Sequence, residues 1–489
     1  MGQAKLRGNR EQRIASLLKE HSAKILTPER YEAFVSWTRS PIARGIGEEL
    51  EFFSTEDETL ISVLVKDLTD RDFGFVTLGR DEKGRFRCID CHMSMTRTDA
   101  RHALLKNLKK HTSSGQTMFP QGDSTNDSAG VDLFTPVVAL DKQNPAFKFI
   151  SGSDHWIPGR SIMSEMMRHF IDVDGNFVEQ FQTTGFDSRT WELYLYAALL
   201  EQGLFVEKPT PAPDFMVRSG RKKVFIEAVT VNPTGNTPPP DPEDEPIKRS
   251  PEEIKELLKT KIPIKFASPL WSKLNRKNPY WELKDVEGHP LVFAIADFHE
   301  KQSMMWTSTA LLSYLYGVSH DFMHDEKGQL IITPMKLETH TYEGKQIPSG
   351  FFLQDKAENI SAVLFSASGT ISKFNRMGKL AGFGLPEQHM IRAGFHHRHD
   401  KNAAFPSYFM YEVKQEEVTE TWAEGLSMFH NPRAKYSVDW RMFPDIAHHF
   451  FEDGQIKSII PEFHPYASYT WNLLPSKEAS DNIQAISTA

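Results

Sequence analysis

The chain has 489 residues, 39% of them hydrophobic and 25% charged, with a formal net charge of -8. That supplies enough apolar material for a large core and two or three domains, and the acidic balance excludes a uniformly basic protein. No apolar run approaches the ~18 residues of a membrane span, no apolar region follows the positive charges of Met1 to Arg7, and two cysteines leave no disulfide framework, so a cytoplasmic setting with no membrane partner is expected.

Residues 1–145 read as an N-terminal α+β domain. Its expected elements are a basic helical arm from Lys5 to Lys24, strands at Phe73 to Leu78 and Arg85 to Ile89, and a helix from Thr98 to His111. The run Cys88-Ile89-Asp90-Cys91-His92 has the spacing of a covalent haem attachment, and His92, His102 and His111 are the further ligands a zinc site would need. The alternation of Arg85-Phe86-Arg87 and Met93-Ser94-Met95 favours a strand with buried thiols instead. Thr112 to Ala129 then reads as a linker.

A core expected over 146–320 follows. Phe186 to Gly203 reads as a helix, with Asp187 or Ser188 as N-cap, Gly203 past its end and Glu192 in its first turns. Leu204 to Val206 is a short strand, and the Pro-rich break Pro209 to Pro213 leads into a hairpin. In that hairpin Ser219-Gly220-Arg221-Lys222 separates the apolar runs Phe215 to Val217 and Val224 to Val231, and Gly at the first central position is what a type II′ loop requires. A two-residue loop at Gly220-Arg221 sets Asp214 directly opposite Glu227, roughly 4.5–5.5 Å apart between Cβ atoms, where like charges repel. A hard cation such as Mg²⁺ or Mn²⁺ held between them removes that penalty.

Thr234 to Asp244 reads as a further linker. Ser250-Pro251-Glu252-Glu253 has the form of a capping box opening a helix that runs to about Lys261, and Ser268-Pro269 opens a second, in which Leu270, Trp271 and Leu274 form the buried stripe. Between residues 254 and 284 eight Lys and Arg stand against two Glu, and this excess of positive charge makes a phosphate-tracking surface. Lys265, Lys273, Arg276 and Lys277 belong to it, extended by Arg218, Arg221, Lys222 and Lys223 at the hairpin tip. Pro290 to Phe298 is nearly free of polar residues and suits a strand buried on both faces.

The order helix, strand, hairpin, helices, strand, with Glu192, Asp214 after Pro213, and Glu227, resembles the PD-(D/E)XK nuclease superfamily over about residues 187–300. The resemblance implies an α/β fold with a mixed sheet flanked by helices, a restriction-endonuclease-like core. It also implies Asp214 and Glu227 as ligands of Mg²⁺ or Mn²⁺, with Glu192 binding a second metal or ordering water. One position departs: Val229 stands where the superfamily carries its lysine, and Lys273 is the expected substitute. The activity implied is metal-assisted phosphodiester hydrolysis of nucleic acid, DNA ahead of RNA, in restriction, repair or defence. A homodimer stays open.

The region 321–489 is expected to be a mixed α+β C-terminal part, possibly packed on the core, preceded by a helix from Met305 to Val318 and holding a strand from Ile360 to Ser366. It carries His389, His396, His397 and His399 beside Asp400, and the pair His448-His449, in a spacing unlike a zincin helix. Two other readings follow: a nuclease-fold module that binds nucleic acid or protein without cutting, and a metal hydrolase built on these histidines. No phosphate-binding loop or nucleophile elbow occurs.

Overall fold

In the computed structural model, residues 16, 18–122, 130–209, 211–234, 245–415 and 417–475 are described. The protein is a mixed α/β chain with several sheets flanked by helices, and it divides into two compact units. The smaller holds residues 1–133, 161–175 and 380–383, and the larger holds 134–160, 176–379 and 384–489.

The smaller unit is a five-stranded antiparallel meander of β1 (Ala23–Ile25), β2 (Gly47–Thr55), β3 (Leu60–Asp67), β4 (Phe73–Arg80) and β5 (Phe86–Met95), in that spatial order. Helix Arg97–Ser113 lays Ala100, Leu104, Leu105 and Leu108 on one sheet face, and Thr96 caps it by accepting from the Asp99 amide at 3.3 Å. The Lys5–Lys24 arm lies mostly outside the described residues, and its last two residues are strand. The thiols expected to be buried are exposed. The ladder slips opposite Thr77 and Leu78, leaving Ile89 unpaired, so Cys88 and Cys91 share one face of the edge strand instead of straddling it.

The larger unit is built on an eight-stranded sheet. Its first four strands are β6 (Phe205–Glu207), β7 (Phe215–Ser219), β8 (Lys222–Val231) and β9 (Leu291–Asp297). Two hairpins, β10 (Val318–His324) with β11 (Leu330–Lys336) and β12 (Thr339–Tyr342) with β13 (Lys345–Pro348), lead to β14 (Ala362–Ser366). β15 (His389–His396), β16 (Ser407–Glu412) and the final β20 (Pro465–Leu473) make a separate three-stranded sheet. β17 (Leu426–His430), β18 (Ala447–Glu452) and β19 (Gln455–Ile459) return to the large one, whose order is β19-β18-β17-β14-β9-β8-β7-β6. A boundary at 320 is therefore not a structural one. Half of the strands in that sheet come from beyond it, because β9, buried along its whole length, needs a partner on each edge and finds the second in β14.

Helices cover both faces. Helix Lys261–Leu274 buries Ile262, Phe266, Leu270 and Leu274, a stripe of period four, against Phe225, Val229, Val231, Phe293 and Ile295. It begins at Lys261, directly after the preceding helix ends at Lys259, and carries Pro269 in its interior instead of opening at Ser268-Pro269 as expected. Trp271 falls off the stripe and is 52% exposed, contrary to expectation. On the opposite face helix Phe186–Glu201 packs through Trp191, whose Nε1 donates to the Ala294 carbonyl at 2.9 Å, and through Ser188, 3.0 Å from Thr230. Gly185, without a side chain to cap, precedes this helix in place of Asp187 or Ser188, and Gly203 follows it at φ +71°.

Candidate functional site

The hairpin has the register the loop dictates. Phe215 pairs with Ile226 and Ser219 with Lys222, leaving Gly220 and Arg221 as the loop, with φ positive at Gly220 alone of the two. Continued by one residue, the register sets Asp214 against Glu227. Side chains alternate, so both carboxylates share the face covered by helix Lys261–Leu274.

That helix delivers a cation to them. Lys273 Nζ lies 2.5 Å from Glu227 Oε1, and the Tyr280 hydroxyl donates to the same oxygen at 2.6 Å. Tyr280 Oη is itself 3.3 Å from the ammonium. Burial alone would lower the Lys273 pKa, but the Glu227 charge and hydrogen bond raise it, so the ammonium holds its proton. Tyr280 is pushed up to about 12 by burial and by Glu227. Val229, in the lysine position of the superfamily pattern, is 3% exposed and forms part of the apolar floor beneath the helix. An ammonium at Val229 would have to enter that floor. Lys273 reaches Glu227 from above it.

Asp214 Oδ2 accepts the Ala228 amide at 2.7 Å. Burial, then the Glu227 charge, then that of Glu192 raise its pKa to about 7. Glu192 belongs to the opposite layer: Ser188 of its helix touches Thr230, which is an odd number of residues from Glu227 and so faces the other way. Glu192 is near enough for its charge to act on Asp214, but its own partners are Arg189 at 2.6 Å and Lys208 at 3.5 Å.

The basic surface is only partly assembled. Arg276 stacks on the Tyr280 ring at 4.0 Å, and Lys265 donates to Thr234 at 3.2 Å. Lys277 is exposed but lies past the end of the helix, so it does not share a helical face with Lys273. Arg221 and Lys223 stay at the hairpin tip, where Lys222 is taken by Asp439 and Arg218 stacks on Phe205. Asp297 ends β9 and turns back on His299, accepting from its amide at 3.1 Å and contacting Nδ1 at 2.7 Å.

Asp214 and Glu227 suit a hard divalent cation, being opposed carboxylates of which Asp214 has its pKa raised by burial and then by the Glu227 charge. Glu192 suits it less: burial raises its pKa, and Arg189 and Lys208 already stand beside it. Among the described residues, the three donors that all lie within 4.8 Å of one another are instead Asp67, Asp70 and Asp72, on the β3–β4 turn of the smaller unit. Tyr280 was not visible from sequence as part of the site, because no spacing links it to Glu227, 53 positions away.

The C-terminal histidines divide between the sheet interior and the surface. His430 Nε2 and His448 Nδ1 are 2.9 Å apart inside the sheet, His448 is fully buried, and His449 contacts Ser458 Oγ at 2.8 Å. His389, 2.5 Å from Glu412, and His399 remain exposed. Among the described residues no helix is long and apolar enough to cross a membrane. Comparison with protein-family models, with curated proteins and with solved structures gives no match.

Proposed function

We propose that the larger unit is a metal-dependent nuclease with a PD-(D/E)XK-like core, hydrolysing phosphodiester bonds of DNA or RNA. The observation that carries the reading is the arrival of Lys273 on Glu227, directly across the hairpin from Asp214, in a chain whose motif lysine is Val229. Strand order supports it too: an antiparallel run β6-β7-β8 followed, after two helices, by β9 parallel to β8.

Asp214 and Glu227 are the residues that would hold Mg²⁺ or Mn²⁺. When bound, such an ion activates water and offsets charge on the scissile phosphate. Lys273 keeps a fixed positive charge beside the pair, placed to stabilise negative charge that develops in the transition state, and Tyr280 fixes the Glu227 carboxylate by its hydrogen bond. Asp214, raised to about 7, would have to be deprotonated to hold such an ion, so metal affinity should rise with pH through neutrality.

The test is metal titration against plasmid and single-stranded substrates. Cleavage with Mg²⁺ or Mn²⁺ should vanish on chelation, and Asp214→Ala should lower it by at least about a hundredfold, since several kcal/mol of Lewis-acid stabilisation is lost. Cleavage surviving in that variant would overturn the reading. A second reading, a recognition module that no longer cuts, is favoured by the pairing of Glu192 with Arg189 and Lys208, and binding without cleavage would establish it.

A further inference from the structure

The second half of the large sheet, the small β15-β16-β20 sheet, helix Ser308–Tyr316 and the β10–β11 hairpin line an open cavity of about 1160 Å³ that shares no residue with the Asp214–Glu227 pair. It is larger than the roughly 300–1,000 Å³ that holds a drug-sized ligand. Its lining interleaves apolar Leu312, Phe365, Phe429 and Ile456 with imidazoles and hydroxyls: Phe365 pairs with Ser427 across the sheet, and the Phe429 ring stacks on His449 at 4.8 Å. None of the described residues lining it is Asp, Glu, Lys or Arg. For a chain one quarter charged, that is a selective composition.

The imidazoles are held by neutral partners. His464 Nε2 lies 3.2 Å from Ser427 Oγ, His449 Nδ1 lies 2.8 Å from Ser458 Oγ, and His397 Nδ1 lies 2.8 Å from the Tyr466 hydroxyl. His399 Nε2 meets the carbonyls of Pro461 and Glu462, both at 3.1 Å; carbonyls only accept, so that nitrogen carries the proton. Burial pushes His449 and His464 down to about 3, which leaves both rings uncharged at neutral pH.

From the volume, the apolar share of the lining and its lack of formal charge we infer that this cavity binds an uncharged, largely apolar small molecule that carries a few hydrogen-bonding groups. A phosphate or carboxylate seated against these residues would meet no cation, and an amine no carboxylate, because Arg398, Asp400 and Lys401 line only the adjoining cleft that shares His397, His399 and Tyr466, so each would lose its hydration uncompensated. An uncharged ligand loses little on entry, and its polar groups meet Ser427, Tyr466 and the histidines.

Two dyes that differ by one sulfonate provide the test. N-phenyl-1-naphthylamine is neutral, and 1-anilinonaphthalene-8-sulfonate is its anionic counterpart. The full chain should bind the neutral dye saturably, one per chain, with a Kd at least tenfold below that of the anion. Ile456→Trp should weaken that binding tenfold or more by filling the cavity, and Gln455→Trp at the exposed rim serves if that variant does not fold. Equal affinity for the two dyes, no saturable neutral binding, or undiminished binding in the folded Trp variant would overturn the inference. So would stoichiometric displacement of the neutral dye by Zn²⁺ that is lost in His449→Ala, which would make the cavity a metal site.

Discussion

Two ionic clusters are buried in the larger unit, and they treat their charges differently. Around Glu420, on the side of helix Ile371–Leu380, Lys373 approaches at 2.7 Å, Arg376 forks onto both oxygens at 2.8 and 2.9 Å, and Arg392 lies at 3.4 Å while reaching Glu424 at 2.6 Å. The guanidiniums go on to Thr470, Ser468 and Tyr411. Burial by itself would raise the Glu420 pKa, yet Arg376, Arg392 and Lys373 hold it well below the usual carboxylate range. At the hairpin the balance is reversed: Asp214 faces Glu227, the one ammonium in contact goes to Glu227, and Asp214 is left at about 7. The structural cluster surrounds Glu420 with three cations, although burial still raises the pKa of its neighbour Glu424. A cluster with an acid left over resembles a site waiting for one more positive charge.

The largest effect should come from breaking the satisfied cluster. Glu420→Gln leaves buried cations uncompensated and should cost about 3–5 kcal/mol in urea denaturation. A loss under about 1 kcal/mol, the value of an exposed pair, would remove the contrast. At the other cluster Lys273→Ala should lower cleavage by roughly a hundredfold with substrate affinity nearly intact, because a charge that acts on the transition state contributes little to ground-state binding. If affinity falls and turnover of bound substrate holds, Lys273 only tracks phosphate.

The smallest effect concerns stability against pH. With its pKa raised to about 7, Asp214 keeps a proton in the folded chain that the unfolded chain has already lost. Its contribution is most favourable below the unfolded carboxylate pKa and is lost progressively as pH rises to about 7. Asp214→Asn, which can still accept the Ala228 amide, should therefore raise the unfolding midpoint at pH 8, by on the order of 2 °C, and by less at pH 5. An equal shift at both would show that burial and the charges of Glu227 and Glu192 do not raise the Asp214 pKa.

What could be read from sequence was local. Gly220 fixed the hairpin register, and with it the meeting of Asp214 and Glu227, because a two-residue loop leaves one pairing. The period of Leu270 and Leu274 placed Lys273 above the pair, although Pro269 suggested a break that packing against Phe293 and Ile295 overrides. Trp271 was misjudged because hydrophobicity was counted without the helical angle that turns it to solvent. The cation partners of Glu192 and the burial of His448 and His449 depend on strands far apart in the chain, and no local pattern reports them. The restriction-endonuclease-like assignment rests on short motifs, and it is the nuclease assay that can decide it.

The place of β9 in the sheet governs how the protein can be made or dissected. Leu291 donates its amide to the Ser361 hydroxyl, 70 positions further on, so β9 leaves the ribosome well before the strand that closes its outer edge. Until β14 arrives, a seven-residue strand apolar on both faces offers an open row of backbone groups, the feature by which sheets recruit stray chains. A fragment cut at 320 would keep Glu192, Asp214, Glu227 and Lys273 but make that interim state permanent. The carboxylate pair is thus inseparable from the histidine-lined half of the sheet, and an inactive, aggregated fragment would testify to the missing strands, leaving the chemistry of the pair untested.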